Sequence, residues 1–381
     1  MNSQKHLFSL DPAVTYLNCA YMSPLLKSVE EAGIAGIRKK LQPNHITNND
    51  FFNESNELRI EFGKLINCDE PNRMVIIPSV SYGLANVAKN LHLQAGDEII
   101  VVDEQFPSNV YPWMTVAKET GAILKTITAP DVIENRGKIW NELILEEINP
   151  KTKLVACGHI HWADGTLFDL ISIRKKTNEV GACLVIDGTQ SLGALPFDVK
   201  EIQPDALIVA GYKSMLGPYS IGMAYYSPTF DKGKPIEENW INRIESDNFA
   251  NLVNYNERYQ PQALRYEVGE HSNFILVPML LQSLKTLNYL GAENIKTYCD
   301  DLVDEAVYFL REDGFWIEDQ KFRASNLFGI RLPEFMTMAE VKPRLAEANL
   351  FVSYRGDSIR VSPNIYNTKE DLAVLVNALS N

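Results

Sequence analysis

The stretch Leu184-Val185-Ile186-Asp187-Gly188-Thr189-Gln190-Ser191 decides the reading of this chain, together with Ala210-Gly211-Tyr212-Lys213, whose lysine lies 26 residues after Asp187. The first piece is a short apolar run that stops at an acid. Such a run predicts a strand buried on both faces, with the carboxylate at its C-terminal edge, where open α/β sheets place their ligands. The second piece repeats the arrangement with a lysine. An amine able to bond a carbonyl carbon and an acid able to keep a ring nitrogen protonated are then expected at one edge of one sheet.

Outward from this pair, short apolar runs alternate with helix-like segments between Met74 and Tyr226, the signature of a mostly parallel sheet with helical crossovers. Seven strands are predicted, at 74–77, 98–103, 122–127, 153–158, 183–187, 206–210 and 221–226. From Ser227 to Asn273 the chain turns polar and aromatic with no clear period, which reads as an excursion near the site or a subunit contact. Helical spacing returns over 274–290 and 292–311, the latter ending at Asp313-Gly314. Strands at 328–332 and 359–362 and helices at 339–347 and 369–379 follow. The expected fold class is α/β, with a large domain over residues 15–273 built on a mostly parallel seven-stranded sheet. A smaller α+β domain over 274–381, joined by 1–14, completes it.

A chain of 381 residues suits one large and one smaller domain better than a string of modules. Its 45% hydrophobic and 22% charged residues are ordinary for a globular protein and argue against extensive disorder. The net charge of −13 argues against nucleic acid and anionic membrane as partners, since both call for clustered Lys and Arg. Met1 to Val14 has no apolar run of signal-peptide length and no later run approaches a membrane span, so a cytoplasmic location is expected. Cys19, Cys68, Cys157, Cys183 and Cys299 form no Cys-x-x-Cys pair and read as reduced thiols rather than a disulfide framework.

Each candidate site residue has a plainer alternative. Lys213 in Gly-Tyr-Lys-Ser suits a partly desolvated catalytic amine, or a surface lysine at a strand end. Asp187 suits the partner of a pyridine nitrogen, which makes the ring an electron sink, or an N-cap for a helix beginning near Thr189. Gln190 suits a contact to the ring hydroxyl. Ser79-Val80-Ser81-Tyr82-Gly83 follows a strand and opens a helix, so Ser79, Val80 and Ser81 suit a phosphate cradle, or Ser79 caps that helix. Phe106 suits stacking on a cofactor ring, or simple packing. Cys157, His159 and His161 alternate along one strand. No fourth ligand follows at a recognisable spacing, so pocket lining is favoured over a metal and no metal site is expected. Arg360, a cation in the last apolar strand, suits a bidentate grip on a substrate carboxylate, or a structural ion pair. Dinucleotide and Walker phosphate motifs are missing. Jointly these residues point to a pyridoxal 5′-phosphate enzyme.

The order of the pieces resembles the class V aminotransferase family of fold-type I pyridoxal phosphate enzymes, which holds cysteine desulfurases, selenocysteine lyases, kynureninases and isopenicillin N epimerase-like proteins. It extends from Tyr16-Leu17-Asn18-Cys19-Ala20 to Arg360-Val361-Ser362-Pro363-Asn364-Ile365-Tyr366-Asn367-Thr368, nearly the whole chain. The resemblance implies a Schiff base (aldimine) at Lys213, Asp187 on the pyridine nitrogen, Gln190 near the ring oxygen and Phe106 on the ring. It implies phosphate held by Val80 and Ser81, and substrate carboxylate by Arg360. It also implies a homodimer in which a loop like Glu267-Val268-Gly269-Glu270-His271-Ser272-Asn273 brings His271 or Ser272 to the partner's phosphate.

The departures bear on the reaction. Ala210-Gly211-Tyr212-Lys213 is closer to the Ser-Tyr-Lys of kynureninases than to the Ser-x-His-Lys of many members, so Tyr212 is a phosphate candidate. Trp162 stands where a polar Asn often faces the cofactor. The loop Val352-Ser353-Tyr354-Arg355-Gly356-Asp357-Ser358 has no cysteine, whereas a cysteine desulfurase needs a thiolate just before the final arginine strand. An amino-acid enzyme of lyase (β-elimination) or transaminase type, and not a persulfide-forming desulfurase, is therefore expected. Epimerisation or racemisation, and a non-catalytic binding or regulatory scaffold, are the alternatives.

Overall fold

The computed structural model describes residues 1–380. The predicted strands appear as β2 (Met74–Ile77), β3 (Glu98–Val102), β4 (Ile123–Ile127), β5 (Thr152–Gly158), β6 (Cys183–Asp187), β7 (Ala206–Ala210) and β8 (Gly222–Tyr226), preceded by a short β1 (Thr15–Tyr16). The seven pair in the order β2-β8-β7-β6-β5-β3-β4. All neighbours are parallel except at β8, which runs against both β2 and β7.

Alternation explains why these strands read as unbroken apolar runs. Ile76, Ile100, Val155, Ile186 and Val209 pack on one face, against α1 (Lys27–Lys39), α2 (Asn53–Leu65) and, later in the chain, α5 (Arg136–Glu147) and α6 (Leu170–Val180). Val75, Ile99, Ala156, Val185 and Ile208 pack on the other, against α3 (Val80–Asn90) and α4 (Tyr111–Thr120). A sheet covered on both faces needs apolar residues at every position. The edge strand β4 departs from this with its half-buried Lys125, a cation that blunts an otherwise open edge.

After β6 the chain runs through turns to the short α7 (Val199–Ile202). No helix begins at Thr189, so Asp187 is not a helix cap. Residues 227–273 form irregular loops with 3₁₀ turns Pro228–Phe230, Phe249–Asn251 and Gln262–Tyr266. They are pinned to the sheet by Glu267, whose Oε1 accepts from the Ile76 N–H at 2.9 Å and whose Oε2 accepts from Arg59 Nη2 at 2.6 Å.

The C-terminal third contains α8 (Leu276–Leu290), α9 (Ala292–Glu312), β9 (Phe328–Arg331), α10 (Met338–Glu347), β10 (Leu350–Phe351), β11 (Ser353–Arg355), β12 (Ser358–Val361) and α11 (Lys369–Ser380). Strands β11, β12 and β9 form a separate antiparallel sheet, with Phe328, Ile330, Ile359 and Val361 packed on α9, α10 and α11. The N-terminal segment joins the two parts: β1 pairs with β10, and Asn18 bridges to Ser362. All five cysteines are free, and Cys19, Cys157 and Cys299 are buried.

Glu267→Ala removes the anion from a buried ion pair and leaves a strand N–H without an acceptor. Loss of one partner from such a pair costs about 3–5 kcal/mol. Denaturant unfolding of this variant, followed by circular dichroism, should show a midpoint well below wild type, and an unchanged midpoint would refute the anchoring role.

Candidate active site

At the C-terminal ends of β5, β6 and β7 lies a cavity of about 390 Å³. Ser79, Val80, Ser81, Phe106, Trp162, Asp187, Gln190, Tyr212 and Lys213 all line it. The topology makes this convergence, because β6 and β7 are parallel neighbours in the register Asp187↔Ile208, so each run ends at the same edge. Thr189 ties the two ends together. Its backbone N–H donates to Asp187 Oδ1 at 3.0 Å, and its Oγ1 accepts from the Ala210 N–H at 3.1 Å.

Lys213 is only 7% exposed, which rules out the surface-lysine alternative. Burial, helped by the cations Arg360 and Arg355 and opposed by Asp187, brings its ammonium down to about 8. The loop that holds it is strained: Leu216 and Ser220, neither a glycine, have φ of 52° and 67°. The N-terminal segment steadies it from below, with the Ser23 N–H donating to the Tyr212 carbonyl at 3.0 Å. Burial raises the Asp187 carboxyl, while its Thr189 donors and Lys213 pull the other way.

Of the two readings of Ser79, the N-cap is observed. Its Oγ accepts from the Tyr82 N–H at 3.2 Å as an N-cap. The N–H groups of Val80 and Ser81, in the first turn of α3, have no intrahelical acceptor. Phe106 has its ring centroid 5.2 Å from Lys213 Nζ and meets Trp162 edge-on at 5.3 Å. Gln190 turns its amide nitrogen to the Ala20 carbonyl at 3.3 Å, and its buried Oε1 has no partner.

The alternating trio, of which only Cys157 lies within β5, needs correcting. Cys157, His159 and His161 do not line the cavity; the intervening Gly158, Ile160 and Trp162 do. Cys157 joins the core on the opposite face, His159 packs on Phe197 at 5.8 Å, and His161 packs on Trp140 at 4.9 Å with Nδ1 3.0 Å from Asp164 Oδ1. The period of 2 was right, but the occupied face was the other one. Among the described residues no His/Cys/Asp/Glu cluster could hold a metal.

Three predicted residues lie off the cavity wall. His271 is buried, with Nδ1 3.1 Å from Arg59 Nη2 and Nε2 3.0 Å from the Phe51 carbonyl, and the half-buried Ser272 follows it. Arg360 lies behind the wall, 1% exposed. Its Nη1 donates to the Trp162 carbonyl at 2.9 Å, and its guanidinium is 5.8 Å from the indole centroid. No carboxylate pairs with it among the described residues, its Nε has no partner, and burial with the neighbouring Arg355 brings it down to about 9. The structural ion pair is thus excluded.

Sequence reasoning passed over Gln105, Thr189, Tyr219 and Ser220 in the wall. Thr189 carried a signal, a hydroxyl two residues after a strand-end acid. Tyr219 and Ser220 had only their place in the turn after Lys213, and Gln105, which donates to the Ala156 carbonyl at 3.0 Å, had none.

The aminotransferase class-V family model matches residues 39–375. An uncharacterized aminotransferase of Bacillus subtilis, YcbU, is 28% identical over 320 residues, covering 82% of this chain and 80% of that protein. Among solved structures, an apo cysteine desulfurase from Thermococcus onnurineus superposes with a TM-score of 0.85 at 20% identity, over 100% of this chain and 98% of that one. A lysine-to-alanine variant of C-DES, with glycine covalently linked to its pyridoxal phosphate, gives 0.87 at 18% identity, over 99% of each chain. These likenesses show a shared fold. With its family model spanning most of the sequence, the chain belongs to the class-V aminotransferases.

Proposed function

We propose that this protein is a pyridoxal phosphate enzyme acting on an amino acid by lyase or transaminase chemistry, as a cytoplasmic homodimer. The observation that carries the reading is the buried Lys213 amine sharing one cavity with Asp187. The cavity suits the cofactor on its own terms. The unpartnered Gln190 Oε1 can take the ring hydroxyl, the free N–H groups of Val80 and Ser81 can take phosphate, and the Phe106 ring can cover the pyridine. Trp162 and Tyr212 complete the walls, and of the two candidates for the partner subunit's phosphate the half-buried Ser272 is assigned, because both ring nitrogens of the buried His271 are engaged within its own chain. When bound, the cofactor supplies an electron sink for charge developing at the substrate α-carbon.

The chain's own groups do the rest. Asp187 would hold a proton on the pyridine nitrogen, as a carboxylate kept ionised by its Thr189 donors and the Lys213 charge against the burial that raises it. Lys213 Nζ, the amine that would bond the cofactor's carbonyl carbon, would also take the substrate's α-proton and return it. Arg360 takes the substrate carboxylate, for which its lack of an internal acid leaves it available. Persulfide chemistry is not part of the proposal. The 353–358 hairpin has no thiol, and Cys19, 3.9 Å from the Lys213 carbonyl, is pushed by burial up to about 12 and is a poor nucleophile. No described helix is long and apolar enough to cross a membrane.

Purified protein mixed with pyridoxal phosphate should develop a visible absorption band, and Lys213→Ala should lack it and lose turnover by at least ~10²-fold. A band of wild-type strength in that variant would sink the assignment. Because the neutral amine is the reactive form, uptake of cofactor by the apo-protein should accelerate as pH rises through about 8 and then level off. A flat profile contradicts the buried-amine account. After incubation with cysteine, mass spectrometry should find no persulfide on any of the five cysteines; finding one refutes the exclusion.

A further inference from the structure

The last hairpin carries a second arginine that the proposed chemistry does not use. Strands β11 and β12 pair as Ser353↔Arg360 and Arg355↔Ser358, across the two-residue turn Gly356-Asp357. Paired residues share a face and alternate residues along a strand do too, so Ser353, Arg355, Ser358 and Arg360 all point to one side. Arg355 and Arg360 are diagonal neighbours there, a separation of roughly 7–8 Å between backbones that long side chains readily span. Gly356, at φ 55°, allows the tight turn and fixes Arg355 at the end of a short, defined ladder.

The two guanidiniums converge on the same indole. Arg355 lies 4.9 Å and Arg360 5.8 Å from the Trp162 ring centroid, and Trp162 is a wall of the cavity. Two cations so placed repel each other, and beyond the indole they share no acid among the described residues offsets them. Neither makes an ion pair among the described residues, and the buried Nε of each lacks a partner. Arg355 spends Nη1 on the carbonyl of its own neighbour, Tyr354, at 2.7 Å.

The surrounding charges are accounted for. Asp164, which packs on Gly329 beside Arg360's strand, is held by Arg136 and His161. Arg331, on the same face of β9, stacks on Trp316 at 5.1 Å, and Asp357 is exposed in the turn. Ser353, Ser358 and Gly329 are small, so the face around the arginines is not filled by bulk from its own strands.

We infer that Arg355 binds a second anionic group, and that the substrate is an amino acid with an acidic side chain whose α-carboxylate goes to Arg360. The substrate half of this rests on the amino-acid reading above; the dianion site itself rests only on the hairpin.

Two measurements separate these. Without added cofactor, succinate should raise the melting temperature of the wild-type protein, its monoamide succinamate should not, and Arg355→Gln should lose the response. Equal shifts from both ligands, or a response retained in the variant, overturn the dianion site whatever the cofactor does. With pyridoxal phosphate bound, L-aspartate, L-glutamate and L-cysteine sulfinate should perturb the visible band at concentrations about 10–100-fold lower than L-asparagine and L-glutamine, the range expected for one charge-assisted contact. Among the three acids, the tightest identifies the reach and charge the site prefers. Arg355→Gln should erase that margin while leaving the neutral pair within about threefold. An equal loss for acidic and neutral amino acids would mean that both arginines serve the α-carboxylate, and would overturn the substrate assignment. A protein that forms no band but still discriminates succinate from succinamate would sink the enzyme reading and leave the anion site standing.

Discussion

Everything at the site depends on β6 and β7 lying side by side in parallel. A parallel pair brings two C-terminal ends to one edge, so an acid closing the first strand and a lysine just after the second come together without any long-range search by their side chains. Thr189 then stitches the ends, donating its N–H to the acid and accepting the Ala210 N–H at its hydroxyl oxygen. The strands are apolar on both faces because helices cover both, and the amine that emerges between them is desolvated for the same reason. Burial that stabilises the sheet also tunes its reactive group.

The second constraint is the meeting of the two parts of the chain. The hairpin of β11 and β12 is anchored by Ser353, whose Oγ donates to Asn18 Oδ1 at 2.8 Å, and Ser362 Oγ accepts from the Ala20 N–H at 2.9 Å. The Ala20 carbonyl in turn accepts from Gln190. A single extended segment therefore touches the arginine face on one side and the Asp187 loop on the other. The relative placement of cation and amine is set by backbone and short side chains rather than by flexible linkers.

Much of this was legible from residue order. The seven strands fell within a residue or so of their predicted limits because each is a short apolar run between turn residues, and periodicity reads such runs well. Lys213 and Asp187 were legible because a charged residue ending a buried run demands a reason. Arg360 was legible on the same logic, but its distance from the cavity wall was not, since Trp162 intervenes from a turn far away in sequence. That turn exists because Gly165, at φ 81°, lies against the Leu327 carbonyl, too close for any side chain, a contact no local pattern announces. The face of β5 was misjudged for a related reason: alternation tells which residues share a side and is silent on which side the helices leave open.

The segment that joins the two parts also imposes an order in time. Asn18 is made early, yet its partner Ser353 lies 335 positions later. At synthesis rates of about 5–20 residues per second, it waits roughly 20–70 s on the ribosome before that partner exists. The central sheet can assemble meanwhile, since its strands are complete by Tyr226. Arg355 and Arg360 join only when the last strands arrive, so a nascent or truncated chain brings its lysine and acid together, in a cavity lined from Pro78 to Ile221, before the two arginines behind Trp162 exist. The arginine face is thereby the last neighbour of the site to form.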